Sequence, residues 1–253
     1  MNLLVDMGNT RLKWAVADNG QLVTGDALLN EYINQPTLVT LWQALTPPEQ
    51  LVIACVSASD TLELVIATAR VLWADINITR VNSQTQTFGI TNAYAQPEKL
   101  GVDRWLVLVA ARHFYSLPVC IVDCGTAITV DLLDADGRHT GGFISAGLML
   151  MKKSLAGGTA ALPFSNTAHP LAAADFTEAA IHNGTLLAAV GLVEQVIARH
   201  DAMSVILTGG DAEFISQHLS ITPIVDADLV LRGLAMVAQA SSDVADYSSE
   251  TFK

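Results

Sequence analysis

Leu4-Val5-Asp6-Met7-Gly8-Asn9-Thr10, near the start of the chain, has an echo at mid-chain in Ile121-Val122-Asp123-Cys124-Gly125-Thr126-Ala127. In both stretches a short apolar run ends in an aspartate and a small turn. The residues after each turn, 12–16 and 128–132, have the pattern of a second strand. The repeated unit is therefore a buried strand, a tight turn that carries a carboxylate, and a hairpin return.

The residue types in these turns indicate anion-binding loops. Glycine lets backbone N–H groups approach an anion closely, and threonine adds a hydroxyl donor. A carboxylate beside such a loop repels a phosphate unless a divalent cation lies between them. Two copies in one chain of 253 residues predict two half-domains that face each other across a cleft for a nucleotide and a metal ion.

Composition restricts the class of protein. Apolar residues make up 51% and charged residues 15% of the chain, which favours an α/β enzyme with a buried core over a disordered chain. The formal charge of −12 argues against nucleic acid or an anionic membrane as the main partner. No signal peptide, membrane-spanning apolar stretch or cysteine framework is evident. We therefore expect a cytoplasmic enzyme with no nucleic-acid or membrane partner.

Buried strands and helices alternate through the first half of the chain. Leu51–Val56 is a continuous apolar run typical of a strand buried on both faces. Leu62–Trp73 and Lys99–Tyr115 have the apolar spacing of helices. This alternation predicts an α/β half-domain over residues 1–116. The polar stretch 83–97 is expected to be a loop near a site.

The second half, residues 117–253, follows the same plan after its own strand–turn–strand unit. A long helical pattern, interrupted by two glycines, covers Thr177–Arg199, and a closing helix is predicted over Leu229–Ala240. Residues 240–253 are polar and are expected to form a frayed tail.

The first loop, from Asp6 to Lys13, offers the groups that a triphosphate needs. Its backbone and Thr10 would hold phosphate oxygens, Asp6 would hold Mg²⁺ through water, and Lys13 could reach a terminal phosphate. The alternative is an ordinary hairpin in which aspartate and asparagine are only turn residues. The echo at Asp123 favours the functional interpretation.

Two further stretches belong to the same predicted site. Asp123 ends a buried strand and must be paired, hydrogen-bonded or metal-bound, because an isolated buried carboxylate is too costly; a metal role and a capping role are both open. Thr208-Gly209-Gly210-Asp211 follows a buried strand and opens a helix, whose N-terminus would favour phosphate. The alternative for this second stretch is a plain turn.

Gly101-Val102-Asp103-Arg104 lies at a helix start and places a carboxylate beside a guanidinium. Asp103 either interacts with the helix dipole or takes the proton of a substrate hydroxyl, with Arg104 binding a substrate carboxylate. The six histidines are scattered without ligand spacing, and five or all six of them are expected on surfaces or helix faces. The absence of a Walker loop, a Rossmann fingerprint and a Gly-x-Ser-x-Gly elbow weakens the P-loop, dehydrogenase and hydrolase interpretations.

Taken in order, four motifs closely resemble those of type III pantothenate kinases, in the acetate and sugar kinase/Hsp70/actin superfamily. They are Asp6-x-Gly-Asn-Thr-x-x-Lys, Gly101-x-Asp-Arg, Asp123-x-Gly-Thr and Thr208-Gly-Gly. The resemblance spans essentially the whole chain apart from the tail. It implies two ribonuclease-H-like halves, mixed sheets flanked by helices, with a nucleotide cleft between them. It also implies ATP-dependent phosphorylation of pantothenate to 4′-phosphopantothenate, the first step of coenzyme A biosynthesis.

The resemblance further implies roles for individual residues. Asp103 would be the general base of in-line phosphoryl transfer to a primary alcohol, Asp6 would bind Mg²⁺ through water, and Asp123 would bind a monovalent cation, K⁺ or NH₄⁺. The implied ATP-binding residues are Asp6, Met7, Gly8, Asn9, Thr10, Arg11, Leu12, Lys13 and Thr126. The implied substrate-binding residues are Tyr94, Gly101, Val102, Asp103, Arg104 and Thr177.

Members of this family are homodimers, which implies a homodimer here, with the long helix after Asp103 near the interface. Three alternatives remain: another kinase or phosphatase of the same superfamily, a non-catalytic transcriptional accessory relative, and a scaffold ATPase. The acidic charge and the intact Asp6, Asp103 and Asp123 disfavour the accessory role. Scaffold ATPases of this superfamily usually need a much longer chain.

Overall fold

Residues 1–200 and 203–250 are described by a computed structural model, with side chains up to residue 240. The strands, in chain order, are β1 (Asn2–Met7), β2 (Arg11–Asp18), β3 (Gln21–Thr24), β4 (Leu28–Leu29), β5 (Gln50–Cys55), β6 (Asn77–Arg80), β7 (Gln86–Thr87), β8 (Ile90–Thr91), β9 (Val119–Cys124), β10 (Ala127–Leu133), β11 (His139–Ala146), β12 (Ser204–Thr208) and β13 (Ile224–Val225). The helices are α1 (Gln35–Trp42), α2 (Ser59–Leu72), α3 (Val102–Phe114), α4 (Leu148–Gly158), α5 (Thr177–Ile197), α6 (Ala212–Ser216) and α7 (Leu229–Glu250). Short 3₁₀ turns cover Asn30–Tyr32 and Pro97–Lys99.

The chain divides into two units. The first contains Met1–Phe114 and the segment from Asp228 onward, and the second contains Tyr115–Ala227. The sequence predicted a division into 1–116 and 117–253. The closing segment differs, because the structure groups it with the first unit rather than with the second.

The main sheet of the first unit has the strand order β3-β2-β1-β5-β6, with β4 beside β2. β1, β2 and β3 form an antiparallel meander, and β5 and β6 continue the sheet in parallel with β1. Asn19 and Gly20 both have positive φ, at 49° and 78°, as a two-residue hairpin between β2 and β3 requires. Leu51, Val52 and Ile53 on β5 are fully buried, because this parallel strand is covered on both faces.

The second unit repeats this topology. Its sheet order is β11-β10-β9-β12-β13, with β9, β10 and β11 antiparallel and β12 and β13 parallel to β9. β9 therefore corresponds to β1, and the aspartates Asp6 and Asp123 lie near the ends of corresponding strands. The predicted α/β class with two half-domains of duplicated topology is confirmed.

Helix α7 belongs to the first unit because its inner side packs on α3, β1 and β5. Gly233 allows this packing, since a Cβ at this position would collide with the carbonyl oxygen of Leu106 on α3. The buried Gln50 side chain donates a 3.0 Å hydrogen bond from Nε2 to the carbonyl oxygen of Ala238. The helix continues past Ala240, where the sequence predicted a frayed tail, to Glu250; residues 251–253 lie outside the described residues.

Helix α5 runs without interruption through Gly184 and Gly191, where the sequence predicted breaks. One side packs into the core of the second unit through Leu186, Val190 and Val193. Within the described residues, this is the helix whose length and composition would also allow it to cross a membrane. In this unit one side of α5 belongs to a protein core, and the other side carries the exposed Leu187.

Candidate active site

Two hydrogen bonds from Asn30 fix the loop between β1 and β2. The Gly8 N–H donates a 3.0 Å bond to the Arg11 carbonyl oxygen, which closes the turn. The Asn30 side chain donates from Nδ2 to the Gly8 carbonyl oxygen at 2.9 Å, and its backbone N–H donates to the Thr10 carbonyl oxygen at 3.0 Å. Sequence reasoning missed Asn30, which has no turn or motif signal of its own.

At the strand ends on either side of this loop, neighbouring side chains point alternately to the core and to the outer surface, as the pleat of the strands requires. Met7 and Leu12 are buried in the core, so these two predicted ATP-binding residues have only backbone groups to offer. Asn9, Thr10 and Arg11 are exposed. Asp6 and Lys13 are partly exposed and are cross-strand partners in the register of β1 and β2. These outward-facing groups form the polar face of the first loop.

The loop between β9 and β10 is one residue shorter. The Gly125 N–H donates to the Ala127 carbonyl oxygen at 3.1 Å, whereas the corresponding bond of the first loop runs from Gly8 to Arg11. Thr126 is exposed, and its carbonyl oxygen accepts a 2.9 Å bond from the Gly147 N–H. The predicted ATP contact at Thr126 therefore lies on an outward-facing turn that is held by its backbone.

Glycines allow several backbone segments to close around the Asp123 carboxylate. Gly209 has a φ of +92°, and a Cβ there would collide with Asp123 Oδ1 and with the Cys124 backbone. A Cβ at Gly125 would lie 3.4 Å from the same Oδ1, and one at Gly147 would collide with the Gly125 carbonyl oxygen. The result is a cradle of backbone around one carboxylate oxygen, a donor type that binds cations.

Cys124 lies inside this cradle loop but does not supply a reactive thiolate. Its thiol is buried, and that burial raises its pKa well above the usual value, with a smaller contribution in the same direction from the charges of Asp123 and Asp211. Since the thiolate is the nucleophilic form of cysteine, Cys124 serves as a small core residue, in agreement with the sequence interpretation.

The Thr208–Asp211 turn lies beside the Asp123 loop. Thr208 pairs with Asp123 in the parallel register of β12 and β9, and the Asp211 N–H donates to the Cys124 carbonyl oxygen at 2.9 Å. The helix that follows, α6, has only five residues. Its macrodipole is correspondingly small, so the helix adds little to the phosphate contact that the sequence predicts at this turn.

Asp103 lies in the first turn of α3. Its Oδ1 accepts a 2.8 Å bond from the Arg104 N–H, which fixes the carboxylate relative to the helix start. Gly101 leaves room for this arrangement, because a Cβ there would lie 2.5 Å from Asp103 Oδ1. Val102, predicted to bind substrate, is buried and has its side chain in the core.

Arg104 points away from solvent and holds Tyr94. The residue is only 5% exposed, and its Nη1 donates a 2.9 Å bond to the Tyr94 hydroxyl. Its guanidinium carbon also lies 5.7 Å from the centre of the Tyr94 ring, within cation–π range. The structure thus brings together the predicted substrate residues Tyr94, Asp103 and Arg104.

Asn92 positions Tyr94 from the other side. Its Oδ1 accepts a 2.9 Å bond from the Tyr94 N–H, and its Nδ2 donates to the Gln84 carbonyl oxygen at 3.1 Å. In the sequence Asn92 was only a neighbour of the tyrosine motif. Its two hydrogen bonds lie within the loop 83–97 and fix the backbone at Tyr94, whose hydroxyl then joins the loop to Arg104.

Thr177 belongs to the second unit, whereas the other predicted substrate residues belong to the first. It is the exposed first residue of α5 and lines a cavity of about 620 Å³ between α4 and α5. The walls of this cavity are mainly apolar, with Met151, Leu155 and Ile181 among them.

No group of three or more histidine, cysteine, aspartate or glutamate side chains that could hold a metal ion occurs among the described residues. A protein-only metal cage is therefore not available in that part of the chain. Mg²⁺ is commonly held by one or two carboxylates together with substrate phosphates and water. Asp6, beside the exposed Asn9 and Thr10, fits that kind of shared coordination.

The sequence profile of type III pantothenate kinases matches residues 2–199. The chain belongs to the type III pantothenate kinase family. A type III pantothenate kinase of Nitrosococcus oceani is 38% identical over 96% of this chain and 96% of its own length. One of Dechloromonas aromatica is 36% identical over 95% of this chain and 100% of its own.

Solved structures of other proteins have the same fold as this kinase at low sequence identity. A Campylobacter jejuni protein described as belonging to the Baf family of transcriptional activators has a TM-score of 0.60 at 19% identity, over 95% of this chain and 99% of its own. The ADPNP-bound activator of 2-hydroxyisocaproyl-CoA dehydratase from Clostridium difficile has a TM-score of 0.58 at 14% identity, over 100% and 98%. Both similarities concern the fold alone.

The cradle around Asp123 leads to a prediction for Gly209→Ala. Its effect should exceed that of Gly20→Ala, the matched control: both glycines have positive φ, but a Cβ at Gly20 meets open space. Gly20→Ala should lose about 1 kcal/mol of stability from backbone strain, and Gly209→Ala should lose more, because its Cβ also collides with Asp123 Oδ1 and the Cys124 backbone. Only Gly209→Ala should also lower the kcat of the kinase reaction, by roughly tenfold or more, because it displaces the Asp123 carboxylate. Equal kinetics in the two variants would contradict the cradle.

Proposed function

We propose that this chain transfers the γ-phosphoryl group of ATP to the primary alcohol of pantothenate, with Asp103 as the general base. ATP-dependent phosphorylation of pantothenate in coenzyme A biosynthesis follows from membership of the type III pantothenate kinase family. The observation that supports the assignment of roles is the grouping of Asp103, Arg104 and Tyr94 at the start of α3. This group combines the Asp103 carboxylate, as a base, with the Arg104 guanidinium, as a cation that can bind the carboxylate of pantothenate.

Arg104 is the proposed anchor for the carboxylate of pantothenate. Its guanidinium stays charged in proteins and presents several N–H donors in a planar fork. The bond to Tyr94 and the contact with its ring hold the fork in place, which reduces the entropy lost when a carboxylate binds. Tyr94 is then part of the acceptor pocket, and Asn92 supports it from behind.

Asp103 is the proposed proton acceptor for the substrate hydroxyl. The Arg104 N–H on Oδ1 fixes the orientation of the carboxylate, and partial exposure leaves the residue accessible from solvent. Phosphoryl transfer depends mainly on positioning and charge stabilisation, so a base with a fixed orientation suits this reaction. No equivalent of the Gly101-x-Asp-Arg motif occurs in the second unit.

The first loop is the proposed site for the transferring phosphate. Asn9, Thr10 and Lys13 would contact ATP phosphates, and Asp6 would hold Mg²⁺ through water. Bound Mg²⁺ supplies charge neutralisation at the phosphates. The rigid turn held by Asn30 presents its N–H groups without further ordering.

The second loop is the proposed site for the monovalent cation and for a further contact with ATP. Asp123 would bind K⁺ or NH₄⁺, since its carboxylate lies in the glycine cradle. Thr126 would contact ATP from the exposed tip of the same turn.

We also propose that the kinase is a homodimer and that a second copy covers the α4–α5 face. Exposed large apolar side chains are concentrated in the stretch from β11 to α5: Phe143, Ile144, Met149, Leu150, Leu155, Phe164, Leu171, Phe176 and Leu187. Helix α5 is apolar on its outer side as well as on its core side, and such a helix is normally buried on both. A patch of this extent commonly marks a protein–protein interface.

The dimer proposal differs in detail from the sequence expectation. That expectation placed the interface near the long helix after Asp103. In the structure the residues Trp105–Ala111 of α3 are all buried within the first unit, so this part of α3 has little side-chain surface left for a partner. The exposed face of α4 and α5 offers a partner subunit more apolar surface than α3 does. A cytoplasmic location and the absence of nucleic-acid and membrane partners stay predictions from the composition.

Asp103→Asn should reduce kcat by roughly 10²- to 10⁴-fold, the usual contribution of a general base, while KM for ATP changes little. Asp60→Asn is the matched control, because Asp60 occupies the same first-turn position of α2 and carries no proposed catalytic role. Steady-state kinetics with both substrates measures the effect. If Asp103 serves only the helix dipole, the two variants will lose similar small amounts of stability and neither will lose turnover.

Leu187→Glu should convert the dimer into monomers, because it places a charge on the outer side of α5 where the side chain is 56% exposed in the single chain. Val71→Glu is the control: Val71 is 67% exposed on α2 in the first unit. Light scattering coupled to gel filtration reports the mass of each species. A Leu187→Glu variant with the mass of the wild-type dimer, or a wild-type monomer, would refute the proposed face.

A further inference from the structure

The aspartates at the ends of β1 and β9 have different neighbours in their sheets. In the first unit, the register partners of Asp6 are Lys13 on β2 and Ala54 on β5. Register partners point to the same face of a sheet, and in an antiparallel pair their Cβ atoms lie about 5 Å apart. Asp6 therefore stands between a lysine, which carries an ammonium, and an alanine, which offers only a methyl group.

The corresponding positions of the second unit carry two threonines. Thr129 on β10 and Thr208 on β12 are the register partners of Asp123. The sheet orders make β9, β10 and β12 the counterparts of β1, β2 and β5, so Thr129 takes the position of Lys13, and Thr208 takes that of Ala54. Where the first unit places an ammonium beside its aspartate, the second unit places a hydroxyl.

The two threonines lie at the end of the sheet that holds the Asp123 carboxylate. Thr208 is 1% exposed, and Thr129 is half-buried. A Cβ on Gly209, the residue after Thr208, would collide with Asp123 Oδ1, so the carboxylate extends toward the end of β12. Burial of a hydroxyl is costly unless the hydroxyl meets a polar group. A cation held by Asp123 would be such a partner.

The next carboxylate along this face of β10 belongs to a separate pair. Asp131 is 1% exposed, and its Oδ1 is 2.9 Å from Nε2 of the buried His139. In the register of β10 and β9, Asp131 is opposite Ile121 rather than Asp123. The oxygen-bearing side chains in the row of Asp123 are therefore its own carboxylate and the hydroxyls of its two threonine partners.

We propose that Thr129 and Thr208 are oxygen ligands of the monovalent cation at Asp123, and that this ion takes the role that the Lys13 ammonium has beside Asp6. The ligand set rests on the cation site proposed above and gives a physical reason for it. Hard cations are held by oxygen atoms, and neutral oxygens hold K⁺ in channel proteins. A positive charge beside the second turn is then available to phosphates, as Lys13 is beside the first.

Thr129→Lys tests whether a fixed ammonium can replace the ion. The wild type should be faster in K⁺ than in Na⁺ at constant ionic strength. In the variant the ratio of the two rates should fall to about one, because a lysine ammonium is a compact point charge. Thr79→Lys on β6 is the matched control, since Thr79 is also half-buried but has Val52 as its register partner. A K⁺ preference in Thr129→Lys as large as that in Thr79→Lys overturns the proposal.

The melting temperature gives a readout that does not depend on turnover. With ADP present, a rise in Tm in K⁺ relative to Na⁺ reports binding of the ion to the folded protein. Thr129→Lys should lose this rise. Thr129→Val and Thr208→Val, which remove only the hydroxyl, should need roughly tenfold more K⁺ for the same rise, and Thr79→Val should behave like the wild type. An unchanged K⁺ dependence in either of the first two valine variants overturns the proposal for that threonine, even where Thr129→Lys does not fold.

Failure of the proposed function would give a different result. A wild type with neither a K⁺-specific rise in Tm nor a K⁺ preference in rate has no cation site at Asp123, and the ligand set is overturned with it. A wild type that forms no ADP in response to pantothenate is not the proposed kinase, but its melting temperature still tests the ligands of the ion.

Discussion

A carboxylate at the end of a central strand must be held by its surroundings, since its burial without partners is costly. Each unit of this kinase meets that requirement with the same plan. Asp6 near the end of β1 and Asp123 near the end of β9 are each followed by a glycine turn closed by a backbone hydrogen bond. The shared sheet order places these strands at the centre of each unit. The turns can therefore hold donors and carboxylates in fixed positions for phosphates and cations.

The two aspartate turns differ in length and in the residues that hold them. The first turn is one residue longer and is held by Asn30 from outside, which leaves its polar side chains exposed. Around the second turn, the missing Cβ of Gly147 leaves room for the Gly125 and Thr126 backbone, and that of Gly209 leaves room for the Asp123 carboxylate and the Cys124 backbone. This difference supports the proposal that the first turn holds the transferring phosphate with Mg²⁺ and the second a monovalent cation. Asp103, the proposed general base, has no counterpart in the second unit.

Local patterns allowed most of the fold to be predicted from the sequence. The two strand–turn–strand units, the buried strand β5 and the helix α3 depend on neighbouring residues, and each lies within a few residues of its predicted limits. The grouping of Tyr94 with Asp103 and Arg104 followed from the family motifs. Long-range packing could not be predicted. The position of α7 depends on a contact between Gly233 and Leu106, residues far apart in the chain.

The roles of single polar residues were the hardest part to predict. Asn30 acts on the β1–β2 loop from the 3₁₀ turn after β4, and nothing in its local sequence signals this. His139 was expected on a surface, yet it is buried with its Nε2 2.9 Å from Asp131 Oδ1, because β10 and β11 bring the two residues together. The same holds for the buried pair of Lys152 on α4 and His182 on α5, which only the packing of the two helices creates.

If Asp123 binds a monovalent cation, the rate of the reaction must depend on which monovalent cation is supplied. The measurement is the rate of pantothenate-dependent ADP formation as K⁺ replaces Na⁺ at constant ionic strength, for the wild type and for Asp123→Asn. The account predicts that the wild type is faster in K⁺ and that Asp123→Asn loses this preference. Equal wild-type rates in the two ions, or an unchanged preference in the variant, would contradict it.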